Sequence, residues 1–179
     1  MRFLRSLLAS LLLFPVLALA QQMPTPPALA AKSWLLIESG SGQVLAAQAP
    51  DERLEPASLT KLMTAYLTFA AIKQGTIKLD QTVPVSEKAW KAPGSRMFIQ
   101  VNTQVKVEDL IKGMIVQSGN DACVALAEGV AGSEEIFAQM MNREAERLGM
   151  KSSHFRNSTG LPDPEHYSTA SDLAKLAGA

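Results

Sequence analysis

A single cysteine, Cys123, in 179 residues excludes an internal disulfide framework, so the stability of the chain must come from packing. Neither sign of charge is in excess, with 17 basic and 17 acidic side chains. No long run of either sign occurs, so the footprint of a nucleic-acid binder or of an anionic-membrane binder is missing. Aromatic residues make up only 6% of the chain. Trp34, Trp90 and Tyr66 read as packing rather than as substrate-stacking platforms. The two histidines, His154 and His166, match no metal-ligand spacing and read as loop structure. No internal repeat is visible, and no apolar run reaches the roughly 20 residues that span a bilayer.

The longest apolar run lies at the start of the chain. Arg2 and Arg5 precede an apolar stretch over 7–19, broken by Ser10 and Pro15, and Ala18 and Ala20 are small residues of the kind that precede a signal-peptidase cut. The pattern predicts a signal peptide over 1–20 and an exported chain of 179 − 20 = 159 residues, enough for one domain with a core. Residues 21–32, rich in Pro, Ala and Gln, read as a flexible leader.

Two strand-like runs over 33–38 and 43–47 flank Ser39-Gly40-Ser41-Gly42 and predict a β-hairpin. Pro56 suits a helix start, and the pattern over 56–73 predicts a helix ended by Gly75. That helix is apolar on nearly every face, through Leu59, Leu62, Met63, Leu67, Phe69 and Ile72, and is expected to be central and buried on all sides. Residues 77–107 read as a loop-rich flap with strand-like pieces at 82–85 and 98–101. Glu108 and Asp109 open a helix reaching Val116. Gln117-Ser118-Gly119-Asn120 interrupts it before a second helix over 121–130, in which Cys123 reads as a small core residue. Ser133 caps a further helix that Gly149 ends, with Phe137, Met140, Met141 and Leu148 as its core stripe. Residues 151–167 read as a long structured loop, after which Ser168 caps a last helix.

Ser58-Leu59-Thr60-Lys61 is the only Ser-x-x-Lys in the chain. Residues three apart share a helix face, and a serine hydroxyl becomes a nucleophile when a neighbouring amine takes its proton. Free lysine titrates near 10.4, so burial must lower the pKa of Lys61 before it can serve as that base. Alone the motif carries little, because roughly one such match is expected by chance in a chain this long. Ser118-Gly119-Asn120 adds to it. From a short loop between helices, a second hydroxyl can relay the proton to a leaving amine, and an amide can hold both substrate and lysine.

With these motifs in order, the chain resembles the low-molecular-mass penicillin-binding proteins of the D-Ala-D-Ala carboxypeptidase type. The resemblance is carried by Pro56-Ala57-Ser58-Leu59-Thr60-Lys61-Leu62-Met63-Thr64 and by Gln117-Ser118-Gly119-Asn120-Asp121-Ala122. It continues through His154-Phe155-x-Asn157-x-x-Gly160-Leu161 and His166-Tyr167-Ser168-Thr169-Ala170. It implies Ser58 as the acylated nucleophile, Lys61 as general base, Ser118 as proton relay and Asn120 as ligand of both substrate and Lys61. The Ser58 backbone N–H would be one oxyanion donor. The implied fold is α+β, the penicillin-binding protein or serine β-lactamase-like transpeptidase fold, here incomplete: a helical subdomain plus the first strands of an antiparallel sheet. Implied partners are peptidoglycan pentapeptide stems, with β-lactams as covalent inhibitors at Ser58. No cofactor or metal is implied. The location is the periplasm or the outer face of the cytoplasmic membrane, with membrane association through a C-terminal segment absent from this chain.

One departure from the family pattern is large. The third motif, Lys-Thr/Ser-Gly, is missing, and the nearest lookalike, Ser158-Thr159-Gly160, lacks the lysine. The expectation is therefore a fragment, 33–179 being a partial catalytic domain that is inactive alone. A β-lactamase is disfavoured, since no Glu is followed four residues later by Asn. A D,D-endopeptidase of the same family, or a non-catalytic peptidoglycan-binding module, remains as the alternative.

Overall fold

The alternation of apolar residues about a Gly- and Ser-rich turn produces the expected hairpin. In a computed structural model describing residues 25, 26 and 28–179, β1 (Trp34–Ile37) pairs antiparallel with β2 (Val44–Gln48), Trp34 facing Gln48 and Leu36 facing Ala46. The Glu38 carboxylate closes the turn, accepting from the Gly40 and Ser41 N–H groups and from Ser41 Oγ. The expected signal peptide, and residues 21–24 and 27 of the expected leader, lie outside the described residues. Residues 25, 26 and 28–30 form no helix or strand, and Ala31–Ala179 is one compact unit that carries every element named here.

The chain then enters a 3-10 turn, Ala57–Thr60, continuous with α1 (Lys61–Lys73). After α1 come β3 (Thr82–Pro84), the short α2 (Glu87–Trp90) and β4 (Gln104–Lys106), which pairs antiparallel with β3. Next are α3 (Val107–Gln117), α4 (Asn120–Ala131), α5 (Glu134–Arg147) and, beyond a long loop, α6 (Ala170–Ala177). Ser133 caps α5 as expected, accepting from the Ile136 N–H. The cap of α6 is Thr169, not Ser168. Ser168 is committed elsewhere, its backbone bridging Leu54 and its hydroxyl meeting Ser153.

The expectation that α1 is buried on all sides is not met. Leu59, Leu62 and Phe69 are about half exposed and form a stripe along one face. The central element is α4, in which every residue from Asn120 to Ala127 is buried. Its small side chains, Ala122, Cys123, Ala125 and Ala127, let neighbouring helices approach from several sides. One core cluster joins Val83, Leu110, Met114 and Leu126, and a second joins Met63, Ala127, Phe137, Met141 and Phe155. Helix α4 contributes to both.

Residues 98–101, expected as a strand, are not one. The partner of β3 is β4, and the 93–99 segment crosses as a strap whose backbone groups bond to the α3–α4 corner. Asn120 N–H donates to Ser95 O at 2.7 Å, and the Asn120 amide donates to Pro93 O at 2.6 Å. The Asp121 carboxylate, 1% exposed, accepts from Met97 N–H at 3.0 Å and Ile99 N–H at 3.2 Å. These bonds answer for polar groups that a strand ladder would otherwise satisfy. Asp121→Ala leaves two strap N–H groups without their acceptor, at about 1–3 kcal/mol each. A loss of about 3 kcal/mol in unfolding free energy is expected by urea denaturation, with Asp121→Asn intermediate.

Candidate active site

Ser58 and Lys61 are three apart across the junction of the 3-10 turn and α1. In a 3-10 turn side chains at this spacing eclipse, which stacks the two directly. Lys61 Nζ lies 3.2 Å from Ser58 Oγ. The amine also donates to the Thr159 carbonyl at 2.8 Å. Lys61 is 8% exposed, whereas Ser58 opens to solvent. Buried amine and open hydroxyl form a site facing out of the protein.

The loop that brings Thr159 O to Lys61 is built from its own side chains. Asn157 Oδ1 accepts from the N–H groups of Thr159 and Gly160, and its amide donates to Leu161 O. Glu134, at the start of α5, accepts from Ser158 N–H and Oγ while pairing with Lys88. Thr64, one turn beyond Lys61, donates to Ser158 O at 2.7 Å. Gly160 has φ +86°, and a Cβ there would collide with the Ala57 carbonyl. Ala57 itself has φ +46°, a conformation costing a non-glycine residue about 1–2 kcal/mol, immediately before Ser58.

The second hydroxyl comes from the α3–α4 corner. Ser118 ends α3 in the left-handed region, φ +53°, and its Oγ donates to Ser58 Oγ at 3.2 Å. Lys61, Ser58 and Ser118 thus form one hydrogen-bonded line. Asn120 stands beside it, but its amide nitrogen bonds Pro93 O, and Lys61 takes the Thr159 carbonyl instead. The expected Asn120–Lys61 bond is not formed: the Asn120 amide N–H holds the strap, and the Lys61 amine donates to Thr159 O.

Burial lowers the Lys61 pKa from its ordinary value. Burial also pushes the neighbouring Cys123 thiol up to about 12, so that thiol is uncharged at neutral pH and offers the amine no counter-ion. The environment therefore favours a neutral amine, the form with a lone pair for the Ser58 proton.

The family pattern described as D-alanyl-D-alanine carboxypeptidase matches residues 20–179. The chain belongs to this family. It is 46% identical over 178 residues to the D-alanyl-D-alanine carboxypeptidase DacC of Escherichia coli K12, covering 96% of this chain and 44% of DacC. A D-alanyl-D-alanine endopeptidase of Pseudomonas aeruginosa is 31% identical over 155 residues, covering 86% of this chain and 48% of that protein. The crystal structure of penicillin binding protein 5 from Haemophilus influenzae matches with a TM-score of 0.84 at 43% identity, over 87% of this chain and 46% of that one. The α+β fold is that of the penicillin-binding proteins, in partial form. The chain spans less than half the length of these relatives.

Several contributors were not singled out from the sequence. Thr159 acts through its carbonyl, for which side-chain chemistry gives no signal. Ser158-Thr159-Gly160, set aside as a failed third motif, borders the site by that route. Its readable sign is Asn157-x-x-Gly160, an Asx-turn residue followed by a glycine in the left-handed region. Gly160→Ala forces that Cβ against Ala57 and moves Thr159 O. A loss of about 2 kcal/mol in urea unfolding, and at least about tenfold slower Ser58 acylation by a fluorescent penicillin, are expected.

Proposed function

We propose that this chain carries the acylating residues of a serine-type D-Ala-D-Ala carboxypeptidase that removes the terminal D-alanine from peptidoglycan pentapeptide stems. The observation that carries the reading is the line Lys61 Nζ–Ser58 Oγ–Ser118 Oγ, with 3.2 Å at each step, opening on the surface. Neutral Lys61 takes the Ser58 proton, and Ser58 Oγ attacks the carbonyl carbon of the penultimate D-alanine. The Ser58 N–H, near the start of a helical segment where N–H groups lack intrahelical partners, is a donor for the resulting oxyanion. As the C–N bond breaks, the proton on Lys61 passes through the Ser118 hydroxyl to the leaving amine, releasing D-alanine and an ester on Ser58. Water, deprotonated by the same amine, then hydrolyses the ester. Asn120, two residues beyond Ser118, is the residue we assign as substrate ligand.

Carboxypeptidase is preferred to endopeptidase because identity is 46% to the former relative and 31% to the latter, over similar shares of this chain. The amino-terminal pattern of Arg2, Arg5 and the 7–19 apolar run supports export to the compartment where stem peptides lie. β-Lactams would acylate Ser58 by the same attack. Lys-Thr/Ser-Gly does not occur in the 179 residues, so the test belongs on the full-length gene product.

That protein should release D-alanine from a pentapeptide and take a fluorescent penicillin covalently at Ser58. Ser58→Ala and Lys61→Ala should each reduce both by about 10³-fold or more. Because Lys61 acts as the neutral amine and its pKa is lowered from 10.5, the rate should rise with pH to a midpoint below 10.5. No D-alanine release together with an unlabelled Ser58 would overturn the proposal. Cleavage of cross-links without D-alanine release would move it to the endopeptidase.

A further inference from the structure

His166 is a buried titratable group that the acylation chemistry does not use. It is 3% exposed and sits in the loop before α6. Its Nδ1 lies 3.2 Å from the Arg156 backbone nitrogen, and its Nε2 lies 2.8 Å from Thr60 Oγ1. A backbone N–H only donates, so Nδ1 must hold a lone pair. The ring proton is then on Nε2, and it is donated to the Thr60 hydroxyl. The Phe155 ring packs against the imidazole in a T-shape at 5.7 Å, closing the pocket.

Thr60 is the residue between Ser58 and Lys61 that ends the 3-10 turn, and it is fully buried. The turn begins with Ala57 at φ +46°, a conformation that persists only where surroundings hold it. Two supports are visible. Gly160 packs against the Ala57 carbonyl and the Thr60 hydroxyl, and His166 grips that same hydroxyl from 106 residues away in sequence.

We propose that His166, neutral and in this single tautomer, is a positioning residue that latches the turn bearing Ser58, so that acylation requires its imidazole to be unprotonated. A second ring proton would turn Nδ1 into a donor facing the Arg156 N–H, and the latch would lose that anchor. Burial keeps the pKa below the ordinary histidine value, so the latch is intact at neutral pH and fails as pH falls through the lowered value. The titratable groups acting on the ring are Asp163 and His154, both from its own loop; Lys61 follows Thr60 but bonds to Ser58 and Thr159. Beyond them lie Arg156, paired with Asp163 and Glu165, and Arg53, stacked on Tyr167. Asp163 favours the imidazolium and His154 disfavours it, while burial outweighs both.

The inference rests on Ser58 being the acylated residue, and its test separates the two claims. The second-order rate of Ser58 labelling by fluorescent penicillin is followed against pH in the full-length protein, His166→Gln and His166→Ala, with thermal melts at each pH. With Lys61 alone titrating, the logarithm of the rate climbs one unit per pH unit; with His166 also required neutral, the acid limb steepens towards two per unit where His166 titrates, removing up to about a further tenfold. Wild type should show the steeper acid limb. A glutamine amide offers one acceptor and one donor at nearly the imidazole spacing and does not titrate. His166→Gln should therefore label within about threefold of wild type at neutral pH and keep the single slope throughout. His166→Ala should be about tenfold slower, also with a single slope. A wild type with one slope down to low pH, a His166→Gln that keeps the steep limb, or a folded His166→Ala that labels at the wild-type rate each overturns the latch. If His166→Ala does not fold, His166→Gln decides. Failure of wild type to label at neutral pH instead overturns the reading of Ser58, and the latch with it.

Discussion

The Lys61 amine is buried without a counter-ion, and the surrounding structure is arranged to tolerate it. Among the described residues no carboxylate acts on it, and its only charged-group influence is a thiol that burial keeps protonated. A charged amine in that position is costly, whereas a neutral one needs only partners for its N–H groups and its lone pair. Thr159 O takes one N–H, and Ser58 Oγ lies within reach of the lone pair. A cost in stability thus becomes basicity directed at one hydroxyl.

Holding a backbone carbonyl in that place requires more structure than the carbonyl itself. Asn157, Glu134 and Thr64 fix the 157–161 loop from within, from α5 and from α1 respectively. Gly160 lets the loop touch the strained Ala57 carbonyl, and His166 fixes the far side of the same turn. The turn bearing Ser58 is therefore clamped by segments about 100 residues downstream. Its geometry is a property of tertiary packing rather than of local propensity.

The opposite wall follows a similar rule. Helix α4 passes through the middle of the domain because alanines and one cysteine give it little bulk. Its first turn carries Asn120 and Asp121, whose polar groups anchor the 93–99 strap, while Ser118 at the preceding corner points to Ser58. The strap can be irregular beside the site because side chains at that corner satisfy its backbone.

Some of this was legible without coordinates. Ser58 with Lys61, the hairpin about 39–42, the α3–α4 break at 118 and the Ser133 cap all depend on neighbours within a few residues, where periodicity and capping chemistry operate. The reading failed where distant contacts decide. Apolar content marked residues 56–73 as the centre, yet side-chain volume favoured α4, and the stripe of Leu59, Leu62 and Phe69 stayed open. Residues 98–101 looked strand-like, yet the Asp121 carboxylate, and not a neighbouring strand, takes the Ile99 N–H together with that of Met97. The sequence by itself determined which side chains are candidates for acyl transfer and, to within a few residues, where the helical segments that carry them lie. Only the tertiary structure decided what holds the amine, because that partner is a backbone carbonyl, a group every residue possesses and whose placement depends on the whole fold.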